Sequence, residues 1–256
     1  MIEILTPAEL DLARATGKLV GKILQTVKDR CEVGTNLLEI DQWVKEMIEE
    51  AGAVSCYVDY EPSFGEGPFG HYICTSVNDA VLHGKPHDYA LAQGDLLTLD
   101  LAVLLDGIAA DSALSFVVGS EGTEQDRALI EVTERALEAA IKVVKPGAKI
   151  GDISYAIQQV LAGEGYPING DFGGHGIGSS MHQDPHVPNI GRRGRGFKLR
   201  PGLLLAIEPW VMVDTDELVT DADGWTLKSV TGCRTAHTEH TVAVTETGVE
   251  ILTLRS

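Results

Sequence analysis

The chain has 256 residues, 44% of them hydrophobic, which is ample for a packed core in one large unit or two small ones. A formal charge of -18 excludes broad, non-specific attraction to nucleic acid or to an anionic membrane surface, because the electrostatic contribution is repulsive. The first residues, MIEILTPAELD, carry acids where a secretory signal carries bases, and the most apolar run, 96–105, is too short to span a bilayer and contains Asp100. The four cysteines, Cys31, Cys56, Cys74 and Cys233, show no C-x-x-C spacing. We therefore expect a cytoplasmic globular protein with reduced thiols, no DNA partner and no membrane segment.

Thr6-Pro7-Ala8-Glu9 joins an N-cap, a proline at the first helical position and a glutamate three residues after the cap, so a helix is expected from there towards Lys28. A second helix is expected after Thr35, because Leu37, Ile40, Val44, Met47, Ile48 and Ala51 fall on one face and Gly52 ends the pattern. Residues 53–70, punctuated by Pro62, Gly65, Gly67, Pro68 and Gly70, read as an irregular loop long enough to be functional. Strands are expected at 72–77, 95–103 and 108–118, the last two joined by Asp106-Gly107, a pair that favours a tight reversal. Beyond a short linker at 119–123, Thr123-Glu124-Gln125-Asp126 opens a helix to about Val144. Asp152 opens another, whose Ile153, Ala156, Ile157, Val160 and Leu161 share a face before Gly163 and Gly165.

The order repeats. Gly34-Thr35 corresponds to Gly147-Ala148 and Ala51-Gly52 to Glu164-Gly165, both at an offset of 113 residues. The apolar run 92–100 lies over 200–208 at an offset of 108, which gives Asp100 a counterpart in Glu208. We expect an α+β fold of two pseudo-symmetric halves, each helix, helix, then strands, at about 1–120 and 121–256, sharing a core in a single domain spanning 1–256. A site between the halves would draw acids from each.

Leu99 to Ser112 sets Asp100 and Asp111 in an otherwise apolar run, where an ionised carboxylate is costly unless a cation or hydrogen-bonding partner meets it. Folded back at Asp106-Gly107, the two acids come within a residue or two of cross-strand register, where side chains approach to roughly 5 Å. Either one keeps a proton, as in a carboxylate dyad, or divalent metal lies between them. Three further residues of ligand type stand in unusual contexts: His175 among four glycines in 173–178, a stretch with little helix or strand preference; Glu208 in an apolar strand; and Glu239 at the mouth of another. Four carboxylates and one imidazole suit Mn, Fe, Co or Zn, and their formal charge balances two divalent ions. Two such ions about 3.5–4 Å apart generate hydroxide near neutral pH and polarise a carbonyl, which is hydrolytic chemistry. Rival constellations are missing: there is no G-x-S-x-G, no H-E-x-x-H, and no P-C-x-x-C after His237-Thr238-Glu239.

At these residues the chain resembles the type I methionine aminopeptidases, of pita-bread fold, over essentially its whole length. The resemblance rests on Asn78-Asp79-Ala80-Val81-Leu82-His83-Gly84, the aspartates eleven residues apart, Gly174-His175-Gly176-Ile177-Gly178 with His182 seven residues past His175, Ile207-Glu208-Pro209, and Glu239-His240-Thr241. It implies a curved antiparallel sheet covered by helices and the removal of initiator methionine from nascent polypeptides with a small second residue. Under it, Asp111 and Glu239 bridge two metals, Asp100 chelates one, and His175 with Glu208 holds the other. Glu208 also shuttles a proton, while His83 and His182 orient the scissile amide and stabilise the oxyanion. Phe69, Cys74, Met181 and Trp225 correspond to the methionine pocket, and Asn78 and Thr235 to an auxiliary monovalent-cation site.

Some features depart from that pattern. The 53–70 loop is longer than in compact bacterial members, which leaves open which of Tyr57, Tyr60, Phe64 and Phe69 touches substrate. Glu208 follows His182 by 26 residues, too few for the helical insertion of the type II enzymes. The basic stretch 191–200 reads either as a solvated loop or as a contact with ribosomal RNA. A proline-directed peptidase of the same fold and a non-catalytic pita-bread binding module are the alternatives to a monomeric enzyme acting on nascent chains.

Overall fold

The computed structural model describes residues 2–62 and 65–255; Phe64 lies outside the described residues. Helix α1 (Pro7–Arg30) begins at the T-P-A-E signature, with the Thr6 side chain accepting from the Glu9 N–H and the Glu9 carboxylate accepting from the Thr6 N–H. Helix α2 (Leu37–Glu50) is capped by Asn36, whose side chain accepts from the Leu38 N–H while Glu39 reaches back to the Asn36 N–H. Then come β1 (Val54–Ser55), β2 (Cys74–Val77), β3 (Ala80–Leu82), β4 (Leu96–Leu105) and β5 (Ile108–Val117).

The second half opens with α3 (Glu124–Val143), under a Thr123 cap of the same kind as that of Thr6, and α4 (Ile150–Gly163). Asp152 does not open α4. It sits at the third helical position and accepts from the Lys149 N–H, so the helix starts two residues before it. Strands β6 (Gly173–Ile177), β7 (Gln183–Pro188), β8 (Leu204–Ile207), β9 (Trp210–Met212), β10 (Leu218–Thr220), β11 (Leu227–Ser229), β12 (Thr235–His237), β13 (His240–Val244) and β14 (Val249–Ile251) complete the chain.

Both main sheets are antiparallel and share one plan. In the first, β4 lies between β5 on one edge and β2 and β1 on the other; in the second, β8 lies between β13 and β6, extended outwards by β14 and β7. The repeat read from the sequence is visible in the element starts: Leu96 opens β4 and Leu204 opens β8, while Leu37 opens α2 and Ile150 opens α4. One apolar cluster joins α1 and α2 to β4 and β5, and another joins α3 and α4 to β8, β12 and β13. A third mixes Ile108 and Ala109 of the first half with Ile177, Leu204 and Ala243 of the second, so the halves bury apolar surface against each other.

Two local features position the site. Asp106 and Gly107 both have positive φ, 50° and 85°, forming the two-residue turn that sets Leu105 against Ile108 and fixes the β4–β5 register. The glycine-rich stretch 173–178, expected to be conformationally indifferent, holds strand β6. Its glycines serve close approach: a Cβ on Gly174 would strike the main-chain oxygen of Ala206, and one on Gly176 that of Asp184. Among the described residues, no helix is long and apolar enough to cross a membrane.

Candidate active site

Register decides how the two aspartates meet. Asp100 pairs with Ala113 and Asp111 with Ala102, so each acid faces a methyl group and the carboxylates lie on the diagonal of one sheet face. The second half is stitched to this face. The Thr241 hydroxyl accepts from the Asp111 N–H at 2.9 Å and donates to the Asp111 carbonyl at 2.7 Å. The Ser112 hydroxyl donates to the Glu239 carbonyl at 2.7 Å, and the Glu239 N–H to the Ala113 carbonyl at 2.9 Å. Arg255 adds its guanidinium to the carbonyls of Glu239 and Ala113. Glu239 is thereby carried beside residues more than a hundred positions earlier.

Rigid β6 presents His175. Its Nδ1 lies 3.0 Å from the Gly176 carbonyl, and a proton held there leaves Nε2 with its lone pair facing Asp111 Oδ2 at 3.9 Å and Glu208 Oε1 at 3.8 Å. Ligand atoms of Asp100, Asp111 and Glu239 lie within 4.8 Å of one another, as do those of His175, Glu208 and Glu239. Glu239 belongs to both groups. A third grouping, Asp111, His175 and His182, meets the same limit.

Burial is the largest influence on these acids. It pushes Asp100 up to about 6, against a hydrogen bond from Tyr57, and, with help from Asp100, pushes Glu208 up to about 8. Asp111 and Glu239 rise well above the carboxylate range, first through burial and then through their neighbours' charges. Such a cluster cannot carry full charge without a cation. The Oε1 atom of Glu239 is buried and has no hydrogen-bond partner among the described residues. Hard oxygens, one orphaned acceptor and one imidazole lone pair are the donor set a divalent transition ion takes, so the residues present fit such ions.

Beside the acids lies a cavity whose walls include all five of these residues together with His83, His182, Phe69, Cys74, Met181 and Trp225. Phe69, Cys74, Met181 and Trp225 are each buried and form one apolar cluster with Tyr57 and Ala102; the Phe69 and Trp225 rings meet edge to face at 5.1 Å. His83 follows β3 with φ 58°, and Gly84 after it packs against Thr75 and Ser76 where a Cβ would collide. Burial, with His182 nearby, pushes His83 down to about 4. His182 stands over His175 with ring centroids 4.3 Å apart, its Nδ1 2.8 Å from the Tyr60 hydroxyl. Asn78 and Thr235 meet through the Thr235 N–H and the Asn78 carbonyl, outside this cavity. The Asn78 side chain accepts from the Leu96 N–H and donates to Asp95, and the Thr235 hydroxyl donates to the Ala80 carbonyl.

The structure places two of the loop tyrosines left open by the sequence, and adds residues the sequence did not single out. Tyr57 donates to Asp100 Oδ1 at 2.7 Å, settling that this loop tyrosine lies against the acids, while Tyr60 reaches His182. His237 places Nε2 3.7 Å from Glu208 Oε2, and Arg255 and Thr241 hold main chain. The H-T-E-H-T run carries a faint signal for His237 and Thr241; nothing local marks Arg255.

Residues 11–246 match metallopeptidase family M24. Methionine aminopeptidase 1 of Bacillus subtilis (strain 168) is 38% identical over 254 residues, covering 99% of each chain, and the methionine aminopeptidase of Clostridium perfringens is 40% identical over 255 residues at the same coverage. The crystal structure of methionine aminopeptidase from Thermotoga maritima superposes with a TM-score of 0.93 at 36% identity, covering 99% of this chain and 100% of that one. A prolidase from Pyrococcus furiosus shares the fold alone, with a TM-score of 0.78 at 21% identity, and this chain spans 66% of it. With helices over paired antiparallel sheets and the acids where the halves join, the chain belongs to metallopeptidase family M24, among its methionine aminopeptidases.

Proposed function

We propose that the chain removes the initiator methionine from nascent polypeptides whose second residue is small. In this reading it acts in the cytoplasm as a monomer, with 1–256 forming one catalytic domain and two divalent ions held in the acid cluster. The observation that carries the proposal is the convergence of Asp100, Asp111, His175, Glu208 and Glu239 beside a pocket of soft apolar walls. Asp111 and Glu239 would be shared between the ions, Asp100 would hold one, and His175 with Glu208 the other. When bound, the ions supply Lewis acidity that activates water and polarises a carbonyl.

The side chains do the rest. The methionine thioether enters between Phe69, Cys74, Met181 and Trp225, whose polarisable and aromatic surfaces suit sulfur. Glu208 would also take the proton released by the attacking water and pass it to the departing amine. With the Tyr60 hydroxyl 2.8 Å from His182 Nδ1, the tautomer in which Nδ1 accepts carries its N–H on Nε2, free to face the substrate; in this reading His182 and His83 orient the scissile amide and meet the charge that develops on its oxygen. The nascent-chain setting gives the basic stretch a use: Arg192, Arg193, Arg195, Lys198 and Arg200 are exposed, and we assign to them the contact with ribosomal RNA.

Metal-stripped protein, titrated separately with Mn, Co, Fe and Zn and assayed on Met-Ala-Ser and on an Ala-Pro peptide, tests the proposal. Release of methionine with at least one ion is expected. Cleavage of Ala-Pro alone would move the chain to a proline-directed activity, and inertness with every ion would leave a binding module.

A further inference from the structure

We propose that His237 is a positioning residue for Glu208, its Nε2–H orienting one carboxylate oxygen so that the other faces His175. The inference rests on the assignment of Glu208 as an ion ligand and proton carrier. Glu208 is held between two imidazoles: Oε1 lies 3.8 Å from His175 Nε2, and Oε2 lies 3.7 Å from His237 Nε2. His175 meets Oε1 as a fellow ligand of the assigned ion, whereas His237 is no ligand, so a bare ring nitrogen there would set its lone pair against the ionised carboxylate, and the tautomer that fits carries its proton on Nε2. His237 is 2% exposed, and Nε2 is buried with no hydrogen-bond partner among the described residues, so water does not compete for that proton.

Neither main chain is free to drift. The Ser115 hydroxyl donates to the His237 carbonyl at 2.8 Å and accepts from the His237 N–H at 3.0 Å, with Thr98 bonded behind it at 2.6 Å. His237 pairs with Trp210 across β12 and β9, the Thr238 N–H donates to the Pro209 carbonyl, and Asn189 donates to the Glu208 carbonyl at 3.1 Å. With both backbones pinned, the separation closes to a hydrogen bond through the broad terminal torsion of the carboxylate, as catalytic contacts do on loading. Outer partners of this kind fix the direction from which a ligand meets its ion.

Calorimetric titration of the metal-free protein with Mn, alongside kcat and KM on Met-Ala-Ser, tests this in three variants. His237→Phe keeps the bulk and removes the donor; the expected result is an ion affinity weakened about 10- to 100-fold and a lower kcat, with KM little changed. His237→Gln, whose amide N–H spans a similar reach, restores both values to within about threefold; the shorter His237→Asn does not, and comparing the two amides decides the matter should the phenylalanine variant fail to fold. Wild-type affinity and kcat in His237→Phe, or equal damage in Gln and Asn, would overturn the proposal. A wild-type protein that binds Mn but does not cleave the peptide would sink the proposed function alone, since the affinity series still reads the role of His237.

Discussion

The Tyr57 hydroxyl donates to Asp100 Oδ1 at 2.7 Å and lies 3.3 Å from Asp111 Oδ1, so one phenol from a loop outside the sheet spans the acids of two strands. The loop is braced for this, with Ser55 Oγ accepting from the N–H groups of Tyr57 and Val58. Because the bond favours the ionised form of Asp100, Tyr57→Phe raises the proton affinity of that carboxyl, and an ion must then displace a more tightly held proton. A hydrogen bond to a charged group is worth about 1.5–3 kcal/mol, so Mn affinity is expected to fall roughly tenfold or more at pH 6 and less at pH 8. Equal losses at both pH values, measured by calorimetry, would count against this account.

His182→Ala separates a substrate contact from a metal ligand. His182 reaches the same neighbourhood as Asp111 and His175, yet its Nδ1 is engaged by Tyr60 at 2.8 Å. Turnover should drop by about 100-fold or more, the scale of losing one oxyanion donor, with metal content by elemental analysis nearly unchanged. Loss of an ion from the variant would make His182 a ligand.

The buried acids also set a pH dependence of folding. Glu208 is raised from its ordinary value of 4.5 to about 8, so in metal-free protein the native state holds a proton that the unfolded chain has released. Its stabilising share is complete below about pH 4 and is lost as pH rises through 8. His83, His175 and His237, pushed down to about 4, 3 and 3 by burial, act oppositely, but only below about pH 6.5, above which they are neutral in both states. Between pH 6.5 and 8 the acids dominate, the thiols of Cys31, Cys56 and Cys74, which burial raises, adding a change of the same sign only as pH nears their ordinary value of 9.0, and stability in chelator should fall by up to about 1.4 kcal/mol per pH unit for each acid titrating there. Saturating Mn should remove the decline, and Glu208→Gln should make it shallower. Urea melts in chelator that hold steady or strengthen across the window would contradict this.

Charge decides the last test. Lys149 pairs with Lys198 beside the exposed arginines of 191–200, a basic island on a protein of net charge -18. Replacing Arg192, Arg193 and Arg195 with Gln should reduce co-sedimentation with ribosomes, most at low salt, while leaving cleavage of Met-Ala-Ser within about twofold, because neutralised phosphate contacts act on association. Unaltered co-sedimentation would leave the stretch a solvated loop.

Much of this was legible in the linear chain, because the signals are local. The Thr6 and Thr123 caps, the Asp106-Gly107 reversal and the acids in apolar strands each follow from a few neighbouring residues. Even the duplication could be read, since equal spacing needs no coordinates. Residue type and order also singled out Asp100, Asp111, His175, Glu208 and Glu239 as candidates, since carboxylates in apolar contexts need a proton or a cation to meet them, and the resemblance gathered them into one set. Tertiary structure alone decided how those residues meet: the diagonal offset of the aspartates, the Thr241 and Ser112 hydroxyls that join Glu239 to β5, and the Arg255 guanidinium beneath them. It also turned the glycines around His175 from an apparent freedom into a requirement, and placed Tyr57 and His237 against the acids. The reason is physical: such contacts join residues far apart in the chain, and their geometry exists only once the two sheets are packed together.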